Sequence, residues 1–135
     1  MKKRIYIIVG QFKGDYIDKY TTGIMKQANE LGYDTVCFSM SRLSRTKSSC
    51  EKDLYNLIDF SKCDGVVLNV DSFYEMKNLA TTLENVILQS RKPYTVIGTP
   101  TFTENYFHYP YYNDMYKMME HLIEDHGCQK IYCLG

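Results

Sequence analysis

The sequence predicts an α/β domain in which an open parallel sheet carries helices on both faces, making three α/β/α layers. Two observations lead there. Short apolar runs such as Ile5-Tyr6-Ile7-Ile8-Val9 alternate with longer stretches of helical period. Those runs are apolar throughout instead of at every second residue, as strands buried on both faces require. Repeated strand and helix then imply crossover connections and a parallel sheet.

The elements follow in order. Ile5 to Val9 is the first strand, and Gly10-Gln11-Phe12-Lys13-Gly14 the turn after it. Ile17, Tyr20, Thr21, Ile24, Ala28 and Leu31 recur at helical spacing, and Gly32 stands where a left-handed residue ends a helix. Thr35 to Phe38 is the second strand, followed by a Ser-, Thr-, Arg- and Lys-rich loop from Ser39 to Ser49. A second amphipathic helix is expected around Leu54, Leu57 and Ile58, and a third strand over Val66 to Val70.

Asp71 or Ser72 can cap the next helix, whose stripe is Met76, Leu79, Ala80, Leu83, Val86 and Ile87. Lys92-Pro93 ends it, Tyr94 to Ile97 is a fourth strand, and a short fifth is expected near Tyr106 to His108. A last helix carries Met115, Met118, Met119, Leu122 and Ile123, a stripe expected to be core. It stops at Gly127, before a final strand over Ile131 to Leu134.

Composition narrows the function. Sixteen basic and sixteen acidic residues cancel, so the chain lacks the electrostatic footprint for nucleic acid or an anionic membrane. Of five cysteines, no pair has C-x-x-C spacing, and Cys37, Cys63 and Cys133 lie in or beside apolar runs, as free thiols of a reducing compartment do. Met1-Lys2-Lys3-Arg4 imitates a signal peptide, but the apolar run after it is broken at Gly10. No stretch has the length of a membrane span. A cytoplasmic protein with no membrane contact is expected.

In open parallel sheets, ligands bind beyond the carboxyl ends of the strands. Gly10 to Gly14 is neither a dinucleotide-binding turn nor a phosphate-cradling loop. No acidic pair follows the first strand to hold magnesium, and no G-x-S-x-G elbow is present. His121 and His126 are five apart, which on a regular helix does not give one metal-binding face. The expectation is a non-enzyme with no catalytic residue, metal or cofactor. A ligand site would be lined by Gln11, Phe12 and Tyr16 after strand one and by Ser41 and Arg42 after strand two. Asn69 and Asp71 after strand three, Thr99 after strand four and Tyr111 after strand five complete it. These are the aromatic surfaces and few polar groups that a cleft needs. The tyrosines at 106, 109, 111 and 112 also suit an interface.

The passage from His121 to Gly135, with its His-Leu-Ile, glycine, basic residue and apolar strand, resembles the lactose/galactose repressor family. Gly23, the exit Glu30-Leu31-Gly32-Tyr33 and the strand entry Cys63-Asp64-Gly65-Val66-Val67-Leu68 are similar to that family as well. The same fold serves type I periplasmic binding proteins and cytoplasmic sensors joined to diguanylate cyclase (GGDEF) domains. The opening strand after Met1-Lys2-Lys3 resembles the cyclase-linked sensors more than the repressors, which place a helix-turn-helix before it.

The resemblance implies that residues 1–135 are the first lobe of a sensor, one piece of a longer protein. Such a lobe reports binding of an unknown small molecule to an output domain, of cyclase or transcriptional type. It also implies pairing with a partner lobe or a second copy, since a single lobe exposes its cleft face. Two departures bear on the ligand. Pro110 stands where the repressors keep an aspartate, and Gly98-Thr99 where they often have an acidic-basic pair. These departures favour the alternative, a dimerisation module with the same fold and no ligand.

Overall fold

The computed structural model describes residues 2–11, 15–40, 53–74, 76–108 and 110–132. Strands β1 (Arg4–Gln11), β2 (Asp34–Met40), β3 (Gly65–Asn69), β4 (Tyr94–Ile97) and β5 (Tyr106–Phe107) form one sheet in the order β2-β1-β3-β4-β5. Every pairing is parallel, with Ile8 beside Phe38 on one flank and Leu68 on the other, and Leu68 beside Val96. Among the described residues the long helices are α1 (Asp15–Glu30), α2 (Lys77–Ser90) and α3 (Tyr111–Glu124).

The pleat explains why β1 is apolar at every position. Tyr6 and Ile8 point to one face, where Val66, Leu68 and Val96 meet Ala80, Leu83 and Ile87 of α2. Ile5 points to the other face, where it and Val67 line a groove with Tyr20, Ile24 and Ala28 of α1 and Leu31 just after it. Ile7 and Val9, on that same face by alternation, are buried. Helix α1 ends as its glycine requires, with Gly32 at φ +84.

Several elements depart from the sequence reading. Where a second amphipathic α-helix was expected around Leu54, Leu57 and Ile58, Leu54–Leu57 is a 3-10 turn and Ile58 is already extended, while residues 41–52 lie outside the described residues. Leu57 is 77% exposed while Tyr55 is buried, because the Tyr55 hydroxyl donates to the Val9 carbonyl at 2.7 Å. Spacing of leucines could not show that a tyrosine anchors this turn. Neither Asp71 nor Ser72 caps α2. Both lie in a 3-10 turn, Val70–Ser72, capped by Asn69, and α2 starts at Lys77 with no side-chain cap.

The methionine stripe of α3 is not core. No residue of α3 is buried, and Met115, Met118 and Ile123 are all exposed. The helix follows β5, the edge strand of the described sheet, which is only two residues long with both of them exposed. Ile131 and Tyr132 do not form a strand, and Cys133 to Gly135 lie outside the described residues.

Among the described residues Cys37, Cys63 and Cys128 are free. Burial pushes the Cys37 thiol up to about 11, and burial also raises that of Cys63. At pH 8 only roughly one Cys37 in a thousand is then a thiolate, the reactive form. Cys37→Ser is therefore expected to leave the fast phase of thiol labelling by a disulfide reagent unchanged. Loss of a rapid equivalent would show that Cys37 is open to solvent.

Candidate functional site

The strand order reverses between β1 and β3: β2 lies on one side and β4 and β5 on the other. Connections diverge there and leave a crevice beyond the carboxyl ends. Its floor is one hydrogen-bonded unit. The Gly10 amide, near the end of β1, donates to the Ser72 hydroxyl at 2.7 Å. That hydroxyl donates to the Asn69 carbonyl at 2.5 Å, and the Ser72 amide donates to Asn69 Oδ1 at 3.2 Å. Ser72 has no exposed surface.

Two glycines allow this closeness. A Cβ on Gly10 would lie 2.5 Å from the Ser72 carbonyl oxygen, inside contact distance. A Cβ on Gly98 would overlap the Asp71 carboxylate, and Gly98 sits at φ +102, where glycine is favoured. The ends of β1, β3 and β4 are thus fitted together, with Asp71 seated across the end of β4.

The predicted site residues divide as follows. Gln11 ends β1 half-buried, opposite Met40 of β2. Asn69 is 2% exposed and shapes the turn through its Oδ1, while its Nδ2 has no hydrogen-bond partner. Asp71 is exposed, and Thr99 is exposed just beyond Gly98. Tyr16 lies half-buried in the first turn of α1, and Tyr111 opens α3. Phe12, Ser41 and Arg42 lie outside the described residues, as do Arg45 and Lys47 of the basic loop and Tyr109 of the aromatic stretch.

Asp71 and Tyr111, from two other segments, lie within electrostatic range of Tyr16. Burial, then Asp71, Tyr111, Tyr20 and Tyr74, push the Tyr16 phenol up to about 12. The rings of Tyr16 and Tyr20 meet edge to face, 5.1 Å between centroids. Among the described residues the wall is therefore aromatic, with the Asp71 carboxylate and a phenol that remains a hydrogen-bond donor at neutral pH. Because the folded value lies above the ordinary 10, the protonated phenol favours the fold. That contribution is intact below pH 10 and is lost as pH rises from 10 to 12. An ultraviolet titration of tyrosinate is expected to lose one late-ionising component in Tyr16→Phe. An unchanged titration would place Tyr16 in open solvent.

Sequence reasoning missed several contributors. Tyr20 was read only as a helix-face residue, although its i,i+4 spacing from Tyr16 makes the rings neighbours. Ser72 gave no signal beyond a capping hydroxyl. Glu84 is 1% exposed and accepts from the Thr101 amide at 2.8 Å and the Phe102 amide at 2.7 Å, holding the loop after β4. Its signal was position: it falls within the apolar stripe of α2, between Leu83 and Ile87.

Among the described residues no group of three or more His, Cys, Asp or Glu could hold a metal ion. None of the described helices is long and apolar enough to cross a membrane.

No protein-family model matches the chain, and no curated protein matches it. Among solved structures it is similar to a sugar ABC transporter from Yersinia enterocolitica subsp. enterocolitica 8081, with a TM-score of 0.65 and 17% sequence identity. The match covers 94% of this chain and 37% of that one, so the chain spans little more than a third of that structure's length. At this identity the likeness is one of fold. The all-parallel five-stranded sheet and its helices form an α/β domain that matches a periplasmic-binding-protein-like lobe.

Proposed function

We propose that the chain is a lobe of a non-catalytic ligand-sensing module, taking a small molecule at the carboxyl ends of the strands between β1 and β3. What supports this is the electrostatic influence of Asp71, in the turn after β3, and of Tyr111 on Tyr16, in a sheet whose order reverses between β1 and β3. Ring faces suit the C–H faces of a sugar, and a carboxylate accepts from its hydroxyls. The fold match to a sugar transporter makes monosaccharides the first class to test.

In the finer form of this proposal, residues 1–135 are the first lobe of a longer cytoplasmic protein. A partner lobe or a second copy closes over the cleft, and binding shifts the population of closed forms. That shift is passed to an output domain of diguanylate cyclase or transcriptional type, as in lactose/galactose repressor-type sensors.

The test is a thermal-shift panel of pentoses and hexoses on the wild type, Asp71→Asn and Tyr16→Ala. A true ligand at 100 times its Kd is expected to stabilise the wild type by about 2.7 kcal/mol. Both substitutions should abolish that gain. A response indifferent to both, or no response to any sugar, defeats the sugar-sensing reading.

The second reading, a dimerisation module without a ligand, is favoured by the apolar face of α3, where Tyr112, Met115, Tyr116 and Met119 lie together. It is checked by sedimentation velocity on Tyr116→Glu. Under this reading a wild-type dimer becomes a monomer, and no small molecule stabilises either form.

A further inference from the structure

We infer that the turn closing α3 is a binding site for a divalent transition metal, with His121 and His126 as its two protein ligands and Asp125 orienting the first of them. On a regular helix residues five apart point about 140° away from each other, and the pair would never meet. The helix, however, ends at Glu124. Gly127 takes φ +64, its amide donates to the Ile123 carbonyl at 3.1 Å, and the Cys128 amide donates to the Leu122 carbonyl at 3.1 Å. This reversal carries His126 back over the last turn. Its Nε2 lies 3.0 Å from Nε2 of His121, with the rings at 89°.

The second contact fixes the chemistry of the first. Asp125 Oδ2 lies 2.6 Å from His121 Nδ1. A carboxylate there accepts the Nδ1–H, so the lone pair of neutral His121 is at Nε2, facing His126. Without metal, the Nε2–H of His126 donates to that lone pair. With metal, His126 carries its proton on Nδ1 instead, both Nε2 lone pairs reach the ion, and no net proton is released. Tetrahedral coordination at Zn–N distances places two ligand nitrogens about 3.3 Å apart, a few tenths of an ångström beyond the separation found. Imidazole pairs take Zn²⁺, Ni²⁺ or Cu²⁺. No third protein ligand stands among the described residues, so water completes the shell and the ion exchanges readily.

All three side chains are exposed, so replacing them leaves the core untouched. The test is a titration of the whole 135-residue chain with Zn²⁺ against a chromophoric chelator, with copper paramagnetic resonance as a second readout. One ion per chain is expected, with two nitrogen ligands in the copper spectrum. Affinity should fall at least about tenfold in His121→Ala and in His126→Ala, and roughly 10- to 100-fold in Asp125→Asn with the stoichiometry kept. No binding at about 1 mM free metal overturns the site. So does binding that survives in the His121→Ala, His126→Ala double variant, which would assign the ion to thiols. Unchanged affinity in Asp125→Asn overturns the orienting role. None of these outcomes depends on the cleft or its ligand.

Discussion

Gly10→Ala is expected to destabilise the domain by about 3 kcal/mol or more, the upper end of what overpacking a tight interior costs. The added methyl would meet the backbone carbonyl of Ser72 at 2.5 Å, so no side-chain rotation relieves it. The strand end must withdraw from the turn after β3, and the buried bond from the Gly10 amide to the Ser72 hydroxyl then fails as well. Ser72→Ala separates the two causes, since it removes the hydroxyl without crowding the turn. It should cost about 2 kcal/mol, because the Gly10 amide and the Asn69 carbonyl each lose a partner in a dry place. Urea denaturation measures both. If Gly10→Ala is no worse than Ser72→Ala, the close approach of the two backbones is not what makes glycine necessary.

Glu84→Ala is expected to be at least as damaging, about 4 kcal/mol. It strands two amides, each at about 1–3 kcal/mol, and leaves a hole beneath the loop. Glu84→Gln keeps one carbonyl oxygen for one of the two amides and should lose roughly half as much. The loop from Thr99 to Thr103 should loosen in both. Of its further ties, a 3.4 Å bond between the Thr81 and Thr101 hydroxyls holds a side chain only, and the bonds of Thr103 Oγ1 with the Tyr94 hydroxyl and the Asn105 amide do not reach the amides of Thr101 or Phe102. Hydrogen exchange at those two amides reads the effect directly. Protection there that survives Glu84→Ala would show that the loop is held by something else.

The strands were legible because the signal for a doubly buried strand is local: Tyr94 to Ile97 was read to the residue, and β1 and β3 within two. Helix α1 was legible for the same reason, with a period at one end and a glycine at the other. What failed was whatever depends on a partner distant in sequence. Leucines 54 and 57 predicted a helix, yet Tyr55, bonded to Val9 from forty-six residues away, decides the geometry. Ser72 looked like a helix cap because the sequence does not show that its hydroxyl is engaged by Gly10. The α3 stripe reads as core from its period alone, and a period cannot say whether a sheet lies beneath it.

The same division runs through the candidate site. A topological rule about strand ends set Tyr16, Asp71 and Tyr111 beyond strands one, three and five as candidates for one site. The rule could not say that Asn69 is buried and mainly builds the floor, nor that Gly98 is vacant of a side chain because Asp71 occupies the space. Helical spacing set His121 and His126 on different faces because it took the helix to be regular through both. The reversal at Gly127 undoes that.

The unit formed by Gly10, Asn69 and Ser72 has a consequence for the thermodynamics of recognition. Its atoms are already immobile, so a molecule arriving at the strand ends has no floor to freeze, and the ordering penalty falls on the walls. Those walls are chiefly tyrosine rings, which have only two rotatable side-chain bonds each and so lose little freedom when held. A ligand seated here would bind with a small entropic loss from the protein. The size of its negative heat-capacity change would then report how much ring surface it shields from water.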